Sequence, residues 1–288
     1  MAVILVTGAN GQLGNELKEV SRNFYGYDFH FTDVEELDLT SEEQVAGYIA
    51  DTKPDWIINC AAYNLVDRAE TEPEKAMAVN ALAVKNITGA IKGSDIRLIH
   101  VSTDYVYEGT ACIPYDETAG VNPLTVYGAS KLAGEKFALQ HPWTMVIRTS
   151  WLYSSFGNNF VKTILRHARE KGALRVVFDQ TGSPTWAADL AAAIMSIISG
   201  VIRNHFAYTA GVYNYSDEGV CSWYDFAVEI VREANITCKI DAVTSSEYVQ
   251  AARRPSFSVM NKSKIKDTYG ISIPHWRYSL EKCIKLMI

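Results

Sequence analysis

The chain has 288 residues, 48% of them hydrophobic and 21% charged, with a formal net charge of -6. That is enough length for one large domain or two unequal ones around a sizeable core. The acidic balance argues against general affinity for nucleic acid or for an anionic membrane surface.

Ala2 to Val6 reads as a buried strand. The turn Thr7-Gly8-Ala9-Asn10-Gly11-Gln12-Leu13-Gly14 follows, and Leu13, Leu17, Val20 and Phe24 then recur at helical spacing. A glycine-rich turn between a strand and a helix suits a dinucleotide. Gly8, Gly11 and Gly14 let the backbone approach a pyrophosphate, and the helix N-terminus offers it free N–H groups. Asn10, Gln12 and Leu13 complete the loop.

A second strand, about Asp28 to Thr32, ends at Asp33. An acidic residue at this distance from the loop is placed to read ribose hydroxyls. Asp33 would repel a 2′-phosphate, and Val34 supplies no arginine to accept one, which leans toward NADH. Asp33 is equally compatible with a plain strand-end carboxylate. Asp38-Leu39 would then sit beside the adenine.

Asp55 to Tyr63 reads as another parallel strand, and its end at Ala61, Ala62 and Tyr63 lets a cofactor pass close above it. Asp67 to Ala90 is expected to be helical, with Asn80 in its middle. Arg97 to Val101 is a further strand leading into Ser102-Thr103-Asp104-Tyr105. A loop follows, then Tyr127-Gly128-Ala129-Ser130-Lys131. A tyrosine and a lysine four residues apart share one helix face. Such a pair is usually an ordinary amphipathic neighbour pair. Beside a hydride carrier it becomes a tuned general acid, since a near ammonium favours the phenolate.

Met145 to Arg148 is a strand, and Leu174 to Phe178 is expected to be another strand of the same sheet. The Gln180 to Thr185 turn is rich in hydrogen-bond donors, and Arg253-Arg254-Pro255 suits either phosphate recognition or a solvated surface pair. The alternation predicts an α/β fold, a Rossmann-like doubly wound parallel sheet with a smaller, mixed C-terminal substrate-binding domain. Residues 1–149 and about 173–203 would bind the dinucleotide, and about 150–172 and 204–288 the substrate.

The five cysteines show no CxxC spacing, hence neither a disulfide framework nor a zinc site. The apolar run from Leu190 to Ile202 is too short and broken to span a bilayer. With no secretory signal pattern at the start, a cytoplasmic protein is expected.

Taken together, the glycine loop, the Ser102-Thr103-Asp104-Tyr105-Val106-Tyr107 stretch, Tyr127 to Lys131, Arg148-Thr149-Ser150-Trp151, Asn158-Asn159-Phe160, Asp179 to Thr185 and Arg254-Pro255 resemble the extended short-chain dehydrogenase/reductases. Within them they resemble the dTDP-4-dehydrorhamnose reductase family over almost the whole chain. The resemblance implies NADPH- or NADH-dependent reduction of a 4-keto sugar nucleotide, a step in polysaccharide precursor synthesis. It implies that Tyr127 gives the proton, Lys131 binds the nicotinamide ribose and depresses the Tyr127 pKa, and Thr103 polarises the carbonyl. Asp104, Tyr105 and Trp151 would line the sugar, while Asn159, Gly182, Ser183, Thr185 and Arg254 would hold the nucleotide diphosphate.

Some members of that family pair through magnesium. Glu16 matches one ligand position, but the second region offers only Asp189, so a metal-bridged dimer is not expected. A monomer or homodimer is. Two other readings fit the same residues. One is a reductase of a different nucleotide-linked 4-keto-6-deoxy sugar. The other is a non-catalytic regulatory subunit, since that of methionine adenosyltransferase resembles the same fold.

Overall fold

A computed structural model describes residues 1–248 and 250–288. β1 (Ala2–Thr7), α1 (Gln12–Ser21), β2 (Tyr27–Thr32), α2 (Glu42–Thr52) and β3 (Trp56–Asn59) open the chain. Two short helices, α3 (Val66–Ala69) and α4 (Pro73–Met77), then lead through a π turn at Ala78–Leu82 into α5 (Ala83–Ala90). The single helix expected over Asp67 to Ala90 is therefore broken. Pro73 cannot continue α3 but is well suited to the first turn of α4.

β4 (Arg97–Thr103), α6 (Val126–Ala138) and β5 (Thr144–Thr149) follow. The Thr125 side chain caps α6 by accepting the Gly128 amide at 3.0 Å. Next come β6 (Leu152–Tyr153), α7 (Phe160–Lys171), β7 (Ala173–Val177), β8 (Thr181–Gly182), β9 (Thr185–Trp186) and α8 (Ala187–Ile202). The chain ends with β10 (Gly211–Asn214), β11 (Cys221–Ser222), α9 (Trp223–Glu233), β12 (Lys239–Val243), α10 (Ser263–Tyr269) and α11 (Trp276–Lys285).

The central sheet has six strands in the order β10-β5-β4-β3-β1-β2, all parallel. Both faces are covered, so β1 reads as an unbroken apolar run. Ile4 and Val6 join the core beneath α1 and α8, while Leu5 points the other way into a core with Val45, Val84 and Ile87. Strand order reverses beside β1, and the carboxyl ends of β1, β3 and β4 open a crevice there. The apolar run of α8 is part of this core, and among the described residues no helix is long and apolar enough to cross a membrane.

A second core gathers Val161 and Leu165 of α7, Phe226 and Ile230 of α9, and Trp276 and Leu280 of α11. One expectation fails here. The strand at 174–178 does not join the central sheet. It forms β7, which pairs with β12 in a separate parallel ribbon. Only Val176 within it is fully buried, packed against the second core. The outer place beside β5 is taken instead by β10.

A buried ion pair ties α6 to the sheet. Arg148 of β5 donates to Glu135 at 2.9 and 2.7 Å, with the side chains 5% and 2% exposed. Arg148 also donates to the Tyr107 hydroxyl, which donates to Asn214 of β10, each at 3.0 Å.

Candidate active site

The glycine loop takes the shape its residues permit. Gly8 has φ +68°, and a Cβ there would lie 2.6 Å from the backbone of Ala61. A Cβ on Gly14 would lie 2.5 Å from Gly8 O. The turn can lie this close to the Ala61 backbone beyond β3, and α1 this close to the turn, only over glycine. Gly11 caps α1 without a side-chain bond, leaving the first amides open. Asp33 braces the loop, accepting the Asn10 and Val34 amides at 2.8 Å each. Asp38 accepts from the Thr40 amide and hydroxyl, and the Leu39 side chain is buried. Lys18 donates to Asn10 Oδ1 at 3.1 Å, a cation beside the loop that the motif alone did not single out.

A cleft of about 1480 Å³ runs from this loop across the strand ends into the second unit. Gly8, Asn10, Gly11, Gln12, Leu13, Gly14, Asp33, Asp38, Leu39, Ala61 and Ala62 border it at one end. Tyr63 does not. Its amide donates to Asn80 and its hydroxyl to Glu72, both at 2.8 Å, which turns it away.

Thr103, Asp104, Tyr105, Tyr127 and Lys131 meet in the middle of the cleft. Asn80, in the π turn, braces this helix by donating to Ser130 Oγ at 2.9 Å. Thr103 ends β4, accepts the Tyr105 amide at 3.2 Å and donates to Asp104 Oδ1 at 3.0 Å. The Tyr105 ring meets Tyr127 edge-on, centroids 5.5 Å apart.

Lys131 donates to Val101 O at 2.7 Å. Burial draws its pKa down to about 8, with Glu135 opposing. The expected depression of the Tyr127 pKa by Lys131 is not found. Burial pushes the phenol up to about 12, opposed by the neighbouring Thr103 hydroxyl. The ammonium is committed to a strand carbonyl, and desolvation of the phenolate dominates.

At the far end Trp151, with φ +47°, stacks on Trp223 at 3.5 Å between centroids and 6° between planes. Arg254 pairs with Asp67 and is 17% exposed, and its Nη1 is buried without a partner. Asn159 borders the cleft but also caps α7, accepting the Lys162 amide at 3.1 Å and donating to Gln12 Oε1 at 3.0 Å.

Gly182, Ser183 and Thr185 lie beneath the cleft rather than in it. Gly182 is the floor under Trp151, where a Cβ would lie 2.6 Å from the indole. Ser183 donates to Gly219 O at 2.7 Å, and Thr185 is fully buried. Pairing of β8 and β9 with β11 and β6 turns these residues inward. Sequence reasoning missed Trp223, His167, Lys171 and Arg175, which border the far end. Trp223 carried a signal as an aromatic at the start of an amphipathic helix, but the others carried none.

Glu16 is buried and accepts from Ser154 Oγ at 2.6 Å, and Asp189 accepts from Ser279. Burial raises both carboxyls. Among the described residues no three His, Cys, Asp or Glu side chains are grouped to hold a metal.

With the glycine loop at one end of the cleft, Tyr127 and Lys131 in its wall and the parallel sheet beneath it, the fold is that of a short-chain dehydrogenase/reductase. The whole chain, residues 1–288, matches the family described as RmlD substrate binding domain. It is 38% identical over 289 residues to a dTDP-4-dehydrorhamnose reductase of Aggregatibacter actinomycetemcomitans, covering 98% of each chain. A solved dTDP-4-dehydrorhamnose reductase from Clostridium acetobutylicum superposes with a TM-score of 0.93 at 38% identity, covering 99% of both chains. One from Bacillus anthracis, solved in complex with NADP, gives the same score and identity over 99% of this chain and 100% of its own. The chain belongs to this RmlD family of reductases.

Proposed function

We propose that this protein reduces the 4-keto group of dTDP-4-dehydro-L-rhamnose to give dTDP-L-rhamnose, using NADPH or NADH. The observation that carries the reading is the meeting of Thr103, Tyr127 and Lys131 between a dinucleotide loop and the Trp151–Arg254 end of one cleft. A dinucleotide held by the glycine loop and Lys131 would supply the hydride for C4. Tyr127 keeps its proton at neutral pH, because burial holds its pKa high. A developing alkoxide is a stronger base than phenolate, so the proton passes to it as charge builds. Lys131 orients the ribose from its anchor on Val101 O. Arg254, with a donor to spare, meets the diphosphate, and the paired indoles offer the sugar a flat apolar wall.

Lys18 beside Asn10 offers a 2′-phosphate a partner, which favours NADPH. Residues 1–149 with α8, β10 and α10 form the dinucleotide unit, while α7, β7, α9, β12 and α11 form the sugar-nucleotide unit. The reading is of a cytoplasmic monomer or homodimer.

The test is loss of nicotinamide absorbance with the dTDP substrate, run with both cofactors and with other nucleotide-linked 4-keto-6-deoxy sugars. Faster turnover of a different sugar would reassign the substrate. No consumption with any sugar would leave the non-catalytic subunit as the better reading.

A further inference from the structure

A threonine hydroxyl has one hydrogen and two lone pairs. Here the hydrogen goes to Asp104 Oδ1, and one lone pair accepts the Tyr105 amide. Bound this way, Thr103 has no hydrogen left for a substrate carbonyl. It presents a lone pair, which repels one. Asp104 is 3% exposed, and its Oδ2 is buried without a partner. Ser258 Oγ, also buried without a partner, lies beside it. Ser258 can donate to Oδ2 in either protonation state, but a proton on Oδ1 reverses the Thr103 bond. Asp104 then donates to Thr103, and the Thr103 hydrogen is released toward the cleft.

We propose that Asp104 is a positioning residue for the reduction. As a neutral acid it frees the Thr103 hydroxyl to polarise the carbonyl, and as a carboxylate it withholds it. This rests on the reductase reading above. Asp104 exchanges one proton with water, and the hydride and the Tyr127 proton go where already described. The titratable and charged groups around it are Tyr105 on its own turn, Tyr127 and Lys131 on α6, and Arg254 with its partner Asp67 on α3. Burial raises the Asp104 carboxyl to about 6, opposed by the Thr103 and Ser258 hydroxyls beside it.

The experiment is kcat against pH at saturating NADPH and dTDP-4-dehydro-L-rhamnose, for the natural protein and for Asp104→Asn. The amide keeps the shape and offers a donor to Thr103 at every pH. The natural protein is expected to lose about tenfold in kcat per pH unit above the Asp104 titration, and Asp104→Asn, whatever its absolute rate, to lose that limb. The infrared C=O stretch of a protonated carboxyl in the natural protein is expected to fade over the same pH range, a readout independent of the variant. A limb unchanged in Asp104→Asn, or a carboxyl band that does not track kcat, overturns the inference and leaves the reductase reading standing. Absence of turnover at any pH overturns both.

Discussion

In the proposed reduction Tyr127 can serve as the donor because it is not a strong acid on its own. Its burial keeps it neutral, and the reaction itself generates the base that takes its proton. Tyr127→Phe is expected to lower kcat about a hundredfold, the usual scale for a lost general acid, with the cofactor Kd unchanged. Near-native kcat in that variant would remove Tyr127 from the chemistry. In the proposed reading Arg254 acts on binding rather than on the reacting atoms. A charged hydrogen bond is worth about 1.5–3 kcal/mol, so Arg254→Ala is expected to raise the sugar-nucleotide KM roughly tenfold or more with kcat held. Arg254→Lys should recover little of it, because an ammonium cannot serve Asp67 and a phosphate with one planar fork. An unaltered KM would place Arg254 outside the substrate site.

At the scale of elements, α6 carries Tyr127 and Lys131, the proposed donor and its neighbour, and must be held firmly. The Arg148–Glu135 pair does this from within the core. Glu135→Ala leaves a buried guanidinium uncompensated and is expected to cost about 3–5 kcal/mol of stability by denaturant unfolding. Replacing both partners by apolar residues of similar volume should cost far less. Equal losses in the two variants would contradict this account.

The elements also show what a sequence exposes. β1, β3, β4 and β5 were legible from their apolar stretches, Ile4 to Val6, Trp56 to Ile58, Leu98 to Ile99 and Met145 to Ile147, which are buried because helices cover both faces of the sheet. The spacing of Tyr127 and Lys131 was legible because a helix repeats. The membership of β7 was not, since a strand's sequence does not name its partner. Nor was the acidity of Tyr127, which depends on how deep α6 is buried and on a Val101 carbonyl that claims Lys131. Ser183 and Thr185 look like ligand donors in any linear reading, and only the β8 and β9 pairing turns them inward.

For the whole molecule, the cleft lies between two cores, bridged by bonds such as Asn159 to Gln12 at 3.0 Å and Ser154 to Glu16 at 2.6 Å. A dinucleotide seated on the glycine loop adds contacts that the unfolded chain lacks. Saturation with NADPH at a hundred times its Kd is expected to stabilise the fold by about 2.7 kcal/mol, seen as a higher Tm. A Tm insensitive to NADPH and to NADH would argue against a dinucleotide site.

The central sheet is completed by a strand from far along the chain. β5 ends at Thr149, and β10, which pairs with it, begins only at Gly211. At a synthesis rate of about 5–20 residues per second, the intervening segment takes several seconds to emerge. During that interval the rim of β5 is an unpaired ladder of amides and carbonyls, open to any neighbouring chain. Newly made protein is thus most prone to aggregate late in translation, and a stop just short of β10 would release its stickiest fragment.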